Sequence, residues 1–339
     1  MTAAQKNPNA TSPVKRTVLI ATKLAVTGAL AWYLVDKVDL QKSGEHLATF
    51  DIGWGVPALG IVVLLFFIAA FRWQIYARAL SIPLSVGTAF RLYLIGQFFG
   101  QVLPAGIGGD ALRVWLLSRR GVAVGVGAVS VVLERLTGLL GLLVLMAILL
   151  PLTFSYVDDT AARLTIAFLL AAGGGAISAI VGLSFVPHLI KRWRTVALVS
   201  KLAELASDTR RVGFMLKPAL SAFTLSLMMH LLSVLTVYFL ARGLNMEITA
   251  LECLALVPVV VLISTLPISL AGWGVREGAM VAALTFAGVE TSEALALSIL
   301  FGLTLLVVSL LGAIFWLIQR RSKAPHMTGE KSAPEAASQ

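Results

Sequence analysis

Uninterrupted apolar runs of roughly 18 to 25 residues recur along this chain, each long enough to cross the hydrocarbon core of a bilayer as one helix. Clear examples occupy residues 122–150, 163–186 and 294–317. Hydrocarbon offers no partner to an unpaired backbone N–H or C=O, so only helices and closed β-barrels can span it. The strict alternation that marks a barrel strand is missing. Charged residues make up 13% of the chain, against about 25% in water-soluble proteins. Mean hydropathy is +0.91. The fold class that follows is all-α, a polytopic helical membrane protein.

The net charge of +10 does not point to nucleic acid, because the basic residues fall between the apolar runs. That is the pattern of cytoplasmic loops facing anionic lipid. A single cysteine, Cys253, excludes an internal disulfide. Ala29-Leu30-Ala31 resembles a signal-peptidase site but lies inside the first apolar run, so no cleavage is expected.

The charge rule orders the segments. Residues 1–16 form a polar, disordered cytoplasmic start, followed by a span at 17–35 and an acidic outer loop at 36–52. A second span, 53–71, returns to a basic stretch with Arg72, Arg78 and Arg91. Spans follow at 122–150, ending at Pro151, and at 163–186, where Gly173, Gly174 and Gly175 permit close packing or a kink. The most basic loop, with Lys191, Arg192, Arg194, Lys201, Arg210, Arg211 and Lys217, belongs in the cytoplasm. Spans at 218–241 and 294–317 complete the set, and 321–339 reads as a disordered cytoplasmic tail.

Two apolar segments do not fit as plain crossings. The first, Leu92 to Leu112, is broken by Pro104, Gly106, Gly108 and Gly109, with basic residues on both flanks. The second, from residue 251, ends in the broken stretch Pro267 to Gly274. Plain hydropathy would count seven or eight spans. Charge favours about six full spans with two re-entrant hairpins, the first opening inward and the second outward. Both hairpins share a pattern: Leu-Pro, then a Gly-containing connection (Gly108-Gly109; Gly272-Trp273-Gly274), then an Arg nine positions after the Pro. With their flanking spans they form halves at about 53–150 and 218–317 that run in opposite directions. Such an inverted repeat places a site between its broken elements.

Ionisable groups in apolar segments are costly, so they pair or serve a function. Asp110 and Arg113 lie one helical turn apart, as a structural pair or as a grip on a lipid phosphate, which a guanidinium matches with paired donors. Glu134 and Arg135 sit deep in a long span and point about 100° apart, so each needs another partner; Asp110 with Arg135 is one such link. Arg276 and Glu277 open the helix after the second hairpin, beside a Gly-rich turn able to hold an anion, although an interfacial Arg that snorkels has the same pattern. Gln97 and Gln101 either line the first hairpin or serve as polar glue between helices. His230 reads as a packing histidine, and Trp32, Trp54, Trp273 and Trp316 as interfacial anchors. Hydrolase and nucleotide-binding signatures are missing, and Cys and His are too few for a metal cluster, so neither metal nor cofactor is expected.

The run Gly96-Gln97-Phe98-Phe99, Gln101, Leu103-Pro104, Gly108-Gly109-Asp110, Arg113 and Glu134-Arg135 resembles the lysylphosphatidylglycerol synthase transmembrane-domain family. Pro267 through Gly272-Trp273-Gly274-Val275-Arg276-Glu277-Gly278 is similar to that family's C-terminal motif. Glu134 departs from the Asp that many relatives carry before the Arg. The resemblance spans residues 17–320 and implies a flippase-like domain moving aminoacylated phospholipid or related lipids between leaflets; the expected place is a bacterial inner membrane, where the basic loops put both termini in the cytoplasm. In bifunctional members a soluble aminoacyl-transferase domain follows; none is expected here, because the apolar part gives way to a short tail.

The expected function is therefore that of a lipid translocase rather than an enzyme, moving a phospholipid or lipid-linked headgroup between leaflets. Arg113, Arg135 and Arg276 would meet the phosphate. The competing expectation is a non-transporting accessory protein that binds a lipid or a membrane-bound glycosyltransferase. A third, a lipid-modifying enzyme using Glu134 as acid or base, would change lipid species rather than their sidedness.

Overall fold

The computed structural model describes residues 38–102, 108–183, 211–213, 215–266 and 272–321, with isolated positions between 22 and 36. Most of the expected first span, the basic loop from Lys191 to Arg210, the hairpin prolines Pro104 and Pro267 and both tails lie outside the described residues. The described elements are helical: α1 (Leu40–Ala48), α2 (Ile52–Ala79), α3 (Val86–Val102), α4 (Gly108–Ser118), α5 (Val124–Tyr156), α6 (Thr160–Leu183), α7 (Leu216–Gly243), α8 (Ala250–Thr265), α9 (Val275–Leu284) and α10 (Thr291–Arg321).

Five of these, α2, α5, α6, α7 and α10, are long and apolar enough to cross a membrane. Their lengths of 24 to 33 residues correspond to about 36–50 Å at 1.5 Å per residue, beyond the ~30 Å hydrocarbon core. Two expected boundaries move. Helix α2 continues to Ala79 rather than ending at 71, so Arg72 is not a loop residue but a buried one, 4% exposed. Charge sidedness rules describe solvated arginines, and a paired arginine inside a helix escapes them. Helix α5 runs through Pro151 to Tyr156, since packed neighbours can satisfy a carbonyl that a proline frees. The acidic loop at 36–52 also contains α1, whose N-cap Asp39 accepts from the Lys42 backbone N–H. Lys42 pairs with Glu290 at 3.5 Å near the start of α10.

Both broken segments are helical hairpins. Described helices of 17 and 11 residues pack together in the first, and of 16 and 10 in the second. In the first, α3 and α4 fold back on one another so closely that a Cβ on Gly109 would stand 2.1 Å from the Gly96 carbonyl oxygen. In the second, Gly274 has φ +83°, and its N–H donates to Glu277 Oε2 at 2.5 Å, which ties the turn to the first turn of α9. Left-handed backbone of this kind is open to glycine at little cost.

Helices α2 and α7, which open the two halves, lie antiparallel. The Asp51 N–H donates to the Gly243 carbonyl at 2.9 Å near one end. Nearer the other, Arg72 Nη1 donates to Ser226 Oγ at 2.7 Å. The first helices of the two expected halves thus run in opposite directions, as an inverted repeat requires. Each hairpin also packs on the closing helix of the opposite half. A Cβ on Gly312 of α10 would come 2.1 Å from the Leu94 carbonyl oxygen of α3. Thr153 Oγ1 of α5 donates to the Ala255 carbonyl of α8 at 2.9 Å. Outside this arrangement stands α6, where Gly173 sits against Leu143 while Gly174 and Gly175 face open space.

Candidate functional site

The first hairpin carries a chain of alternating charges in the interior. Glu134, on α5 about 15 Å from its start, is 0% exposed. Its Oε1 accepts from Arg72 Nη2, and its Oε2 from Arg113 Nη1 at 3.2 Å. The same Arg113 Nη1 also donates to Asp110 Oδ1 at 3.1 Å. Asp110 then receives Arg135 in a two-pronged pair, Nε to Oδ2 at 2.8 Å and Nη2 to Oδ1 at 2.9 Å. The order is Arg72–Glu134–Arg113–Asp110–Arg135, drawn from α2, α4 and α5, with Ser226 of α7 holding Arg72 at the closed end.

Burial of one such charge alone costs several kcal/mol, and removal of one partner from a buried pair costs about 3–5 kcal/mol. Alternation is what makes the row tolerable. It is not neutral, however: three guanidinium groups and two carboxylates (+3 − 2) leave one positive charge. Arg113 is 1% exposed, and its guanidinium lies 4.1 Å from the Trp73 ring centre and 4.9 Å from that of Tyr93. Arg113 Nε and Nη2, with Arg72 Nε, have no hydrogen-bond acceptor among the described residues. The row opens at its other end, where the Arg135 side chain is 53% exposed.

Glycines make room for the buried guanidiniums. A Cβ on Gly96 would lie 2.8 Å from Arg113 Cγ, and one on Gly138 would lie 3.1 Å from Arg72 Nη2. Gln97 reaches the site through Tyr93, donating to its hydroxyl at 2.8 Å. Gln101 is half-buried one turn nearer the hairpin tip. Gly108 and Gly109 form the first turn of α4. His230 packs as the sequence indicates, its Nε2 3.0 Å from the Gly138 carbonyl.

The second hairpin holds a smaller, self-contained pair. Arg276 Nη2 and Nε donate to Glu277 Oε1 at 2.5 and 3.1 Å, with both residues buried. The guanidinium stacks 4.7 Å from the Trp273 ring, so Trp273 is a partner of Arg276 and not simply an interfacial anchor. Gly302 of α10 gives this arginine its space, since a Cβ there would come 2.0 Å from Nη2. Gly272, with φ +83°, and Gly274 shape the turn. Among the described residues no ion pair joins Arg276 to the row on the first hairpin.

Sequence reasoning missed Arg72, Ser226, Trp73 and Tyr93. For Arg72 a signal exists: the apolar pattern resumes through Trp73, Ile75 and Tyr76, so the helix has no reason to stop at 71. Ser226 carries no such mark, because serine is ordinary in an apolar helix.

Beside the row, a cavity of about 340 Å³ opens between α5, α6 and α7. Leu136, Leu140, Ile177, Ile180, Leu216 and Leu220 give it apolar sides. Its inner wall includes Tyr76 and Thr137, hydrogen-bonded at 2.5 Å.

Comparison with known proteins finds one family: the family model described as Lysylphosphatidylglycerol synthase TM region matches residues 20–312. No curated protein matches the chain.

Proposed function

Because the chain belongs to the lysylphosphatidylglycerol synthase TM-region family, we propose that it is a lipid translocase of a bacterial inner membrane, with both termini in the cytoplasm. The observation that carries this reading is the net-positive row of arginines at a broken hairpin inside an inverted repeat. Discontinuous helices related by inversion are the usual frame for alternating exposure of a membrane site. Arg135, at the open end, meets the lipid phosphate first, and Arg113 lies behind it. Planar guanidiniums suit this task because their paired donors match phosphate oxygens. Arg276 offers a second station on the outer hairpin.

The apolar cavity beside the row is the right kind of place for an acyl chain while the headgroup is held. The site does not act as an enzyme on this reading: its carboxylates, Asp110 and Glu134, are already engaged by arginines, and their work is to hold the row together.

The test is reconstitution of the full chain in liposomes with fluorescent phospholipids and a membrane-impermeant quencher. Wild type should move lipid between leaflets, and Arg135→Gln should slow it about tenfold, equivalent to ~1.4 kcal/mol of barrier. Equal rates for the two proteins would remove Arg135 from the site. No movement by wild type, together with co-purification of a membrane enzyme, would favour the accessory reading instead.

A further inference from the structure

We propose that the cytoplasmic end of the first hairpin holds an anionic phospholipid that stays bound rather than being transported, gripped by Arg91, Arg119 and Arg120 beside a floor of aromatic rings. The site lies apart from the charge row and needs no transport. Only the leaflet it faces rests on the orientation proposed above.

Three elements meet here. Arg91 stands on the second turn of α3, and Arg119 and Arg120 directly follow α4. Helix α10 brings Phe315 and Trp316 to the same seam near its own end. The Arg91 guanidinium lies 5.9 Å from the Phe315 ring centre, and that of Arg119 lies 5.5 Å from Trp115. Trp115 and Trp316 are 6.2 Å apart, and Phe99 packs edge-on against Trp316 at 5.2 Å. The rings thus run without a break from α4 to α10. A guanidinium resting on a ring face keeps its outer donors free for an anion. Tryptophan and arginine are also the side chains suited to headgroup depth.

The charge at this seam is unbalanced. All three arginines are exposed, and among the described residues no ion pair reaches them. Between Asp51 and Asp158 the sequence has two carboxylates, Asp110 and Glu134, and both serve the row. Helix α10 carries its one carboxylate, Glu293, in its first turn, at the far end. Arg120 also feels Arg91: partial shelter from water, and then that neighbouring charge, hold its guanidinium below its usual pKa. Like charges gathered without a counter-charge repel, and an anion between them removes the penalty.

At the end of a membrane bundle, the abundant anion is the phosphate of an anionic lipid. Its oxygens match the paired donors of arginine. Its acyl chains lie along Leu311 and Ile318, exposed on the face of α10 that carries Phe315. A headgroup held by Arg91 on one arm and by Arg119 and Arg120 beyond the other braces the hairpin. The anionic content of the leaflet then sets how freely the two arms part.

The experiment compares equal losses of charge. Purified full-length protein is titrated in detergent with phosphatidylglycerol or phosphatidylethanolamine, and bound lipid is counted by native mass spectrometry. One double variant, Arg91→Gln/Arg120→Gln, lies inside the patch. The other, Arg78→Gln/Lys217→Gln, removes exposed charges from the last turn of α2 and the first turn of α7. Wild type should bind phosphatidylglycerol at least about tenfold more tightly than phosphatidylethanolamine. The patch variant should lose about tenfold in that affinity, and the other variant no more than about threefold. Phosphatidylglycerol should also raise the melting temperature of wild type more than that of the patch variant. Equal losses in the two double variants would reduce the patch to the general positive charge of that face and overturn the proposal. Equal binding of the two lipids by wild type, or equal melting shifts, would do the same. Arg135→Gln should leave this binding intact whether or not the protein moves lipid, so transport and the bound lipid fail separately. Loss of the tight lipid in Arg135→Gln but not in the patch variant would assign it to the row and refute the site.

Discussion

At the residue scale, the decisive feature is that Glu134 is fully buried between two arginines. Removal of Arg72 would leave it with Arg113 alone, so Arg72→Met should destabilise the protein by about 3–5 kcal/mol. Adding Glu134→Gln should recover part of that loss, because the double variant keeps the net charge of +1 while shedding both members of one pair. Thermal unfolding of the single and double variants in detergent checks this; a double variant less stable than Arg72→Met would contradict it. The Asp110–Arg135 link was legible beforehand because adjacent Glu134 and Arg135 cannot share a face, and one of them had to reach the other hairpin residue. Arg72 was not. The apolar pattern resuming at Trp73, Ile75 and Tyr76 shows that the helix continues past it, but the partners of Arg72, Glu134 on α5 and Ser226 on α7, are set by packing that the sequence does not display.

At the scale of elements, the hairpins were legible from proline and glycine spacing, but their tightness was not, since it depends on which glycines face each other. Gly109 meets backbone: a Cβ there would stand 2.1 Å from the Gly96 carbonyl oxygen. No rotamer change can relieve that contact. Gly109→Ala should therefore force α3 and α4 apart, at a cost of about 1–3 kcal/mol or more, and slow transport sharply. Gly100, four residues along the same α3, has open space where its Cβ would go. Gly100→Ala should remain within about 0.5 kcal/mol of wild type. Melting temperatures and liposome transport rates for the two variants, side by side, give the check. Similar losses in both would mean that α3 tolerates no side chain for some reason other than this contact.

At the scale of the whole molecule, the expected inversion rests in sequence on two Leu-Pro…Gly…Arg patterns, and the antiparallel pairing of α2 with α7 is consistent with it. Sidedness follows from the proposed orientation. A cysteine at Arg119 should react with a membrane-impermeant thiol reagent only from the cytoplasmic side, and one at Glu290 only from the outside. Both positions are exposed, and the native Cys253 is buried. Labelling of both from one side would refute the orientation. Each hairpin rests on the closing helix of the opposite half, α3 on α10 through Gly312 and α8 on α5 through Thr153. That exchange has a consequence for biogenesis. While the ribosome is still making the second half, α3 has no Gly312 to lie against, and its Leu94 face is bare until the final helix is inserted. The contact between α3 and α10 must therefore form late, only after the chain has been made through Gly312.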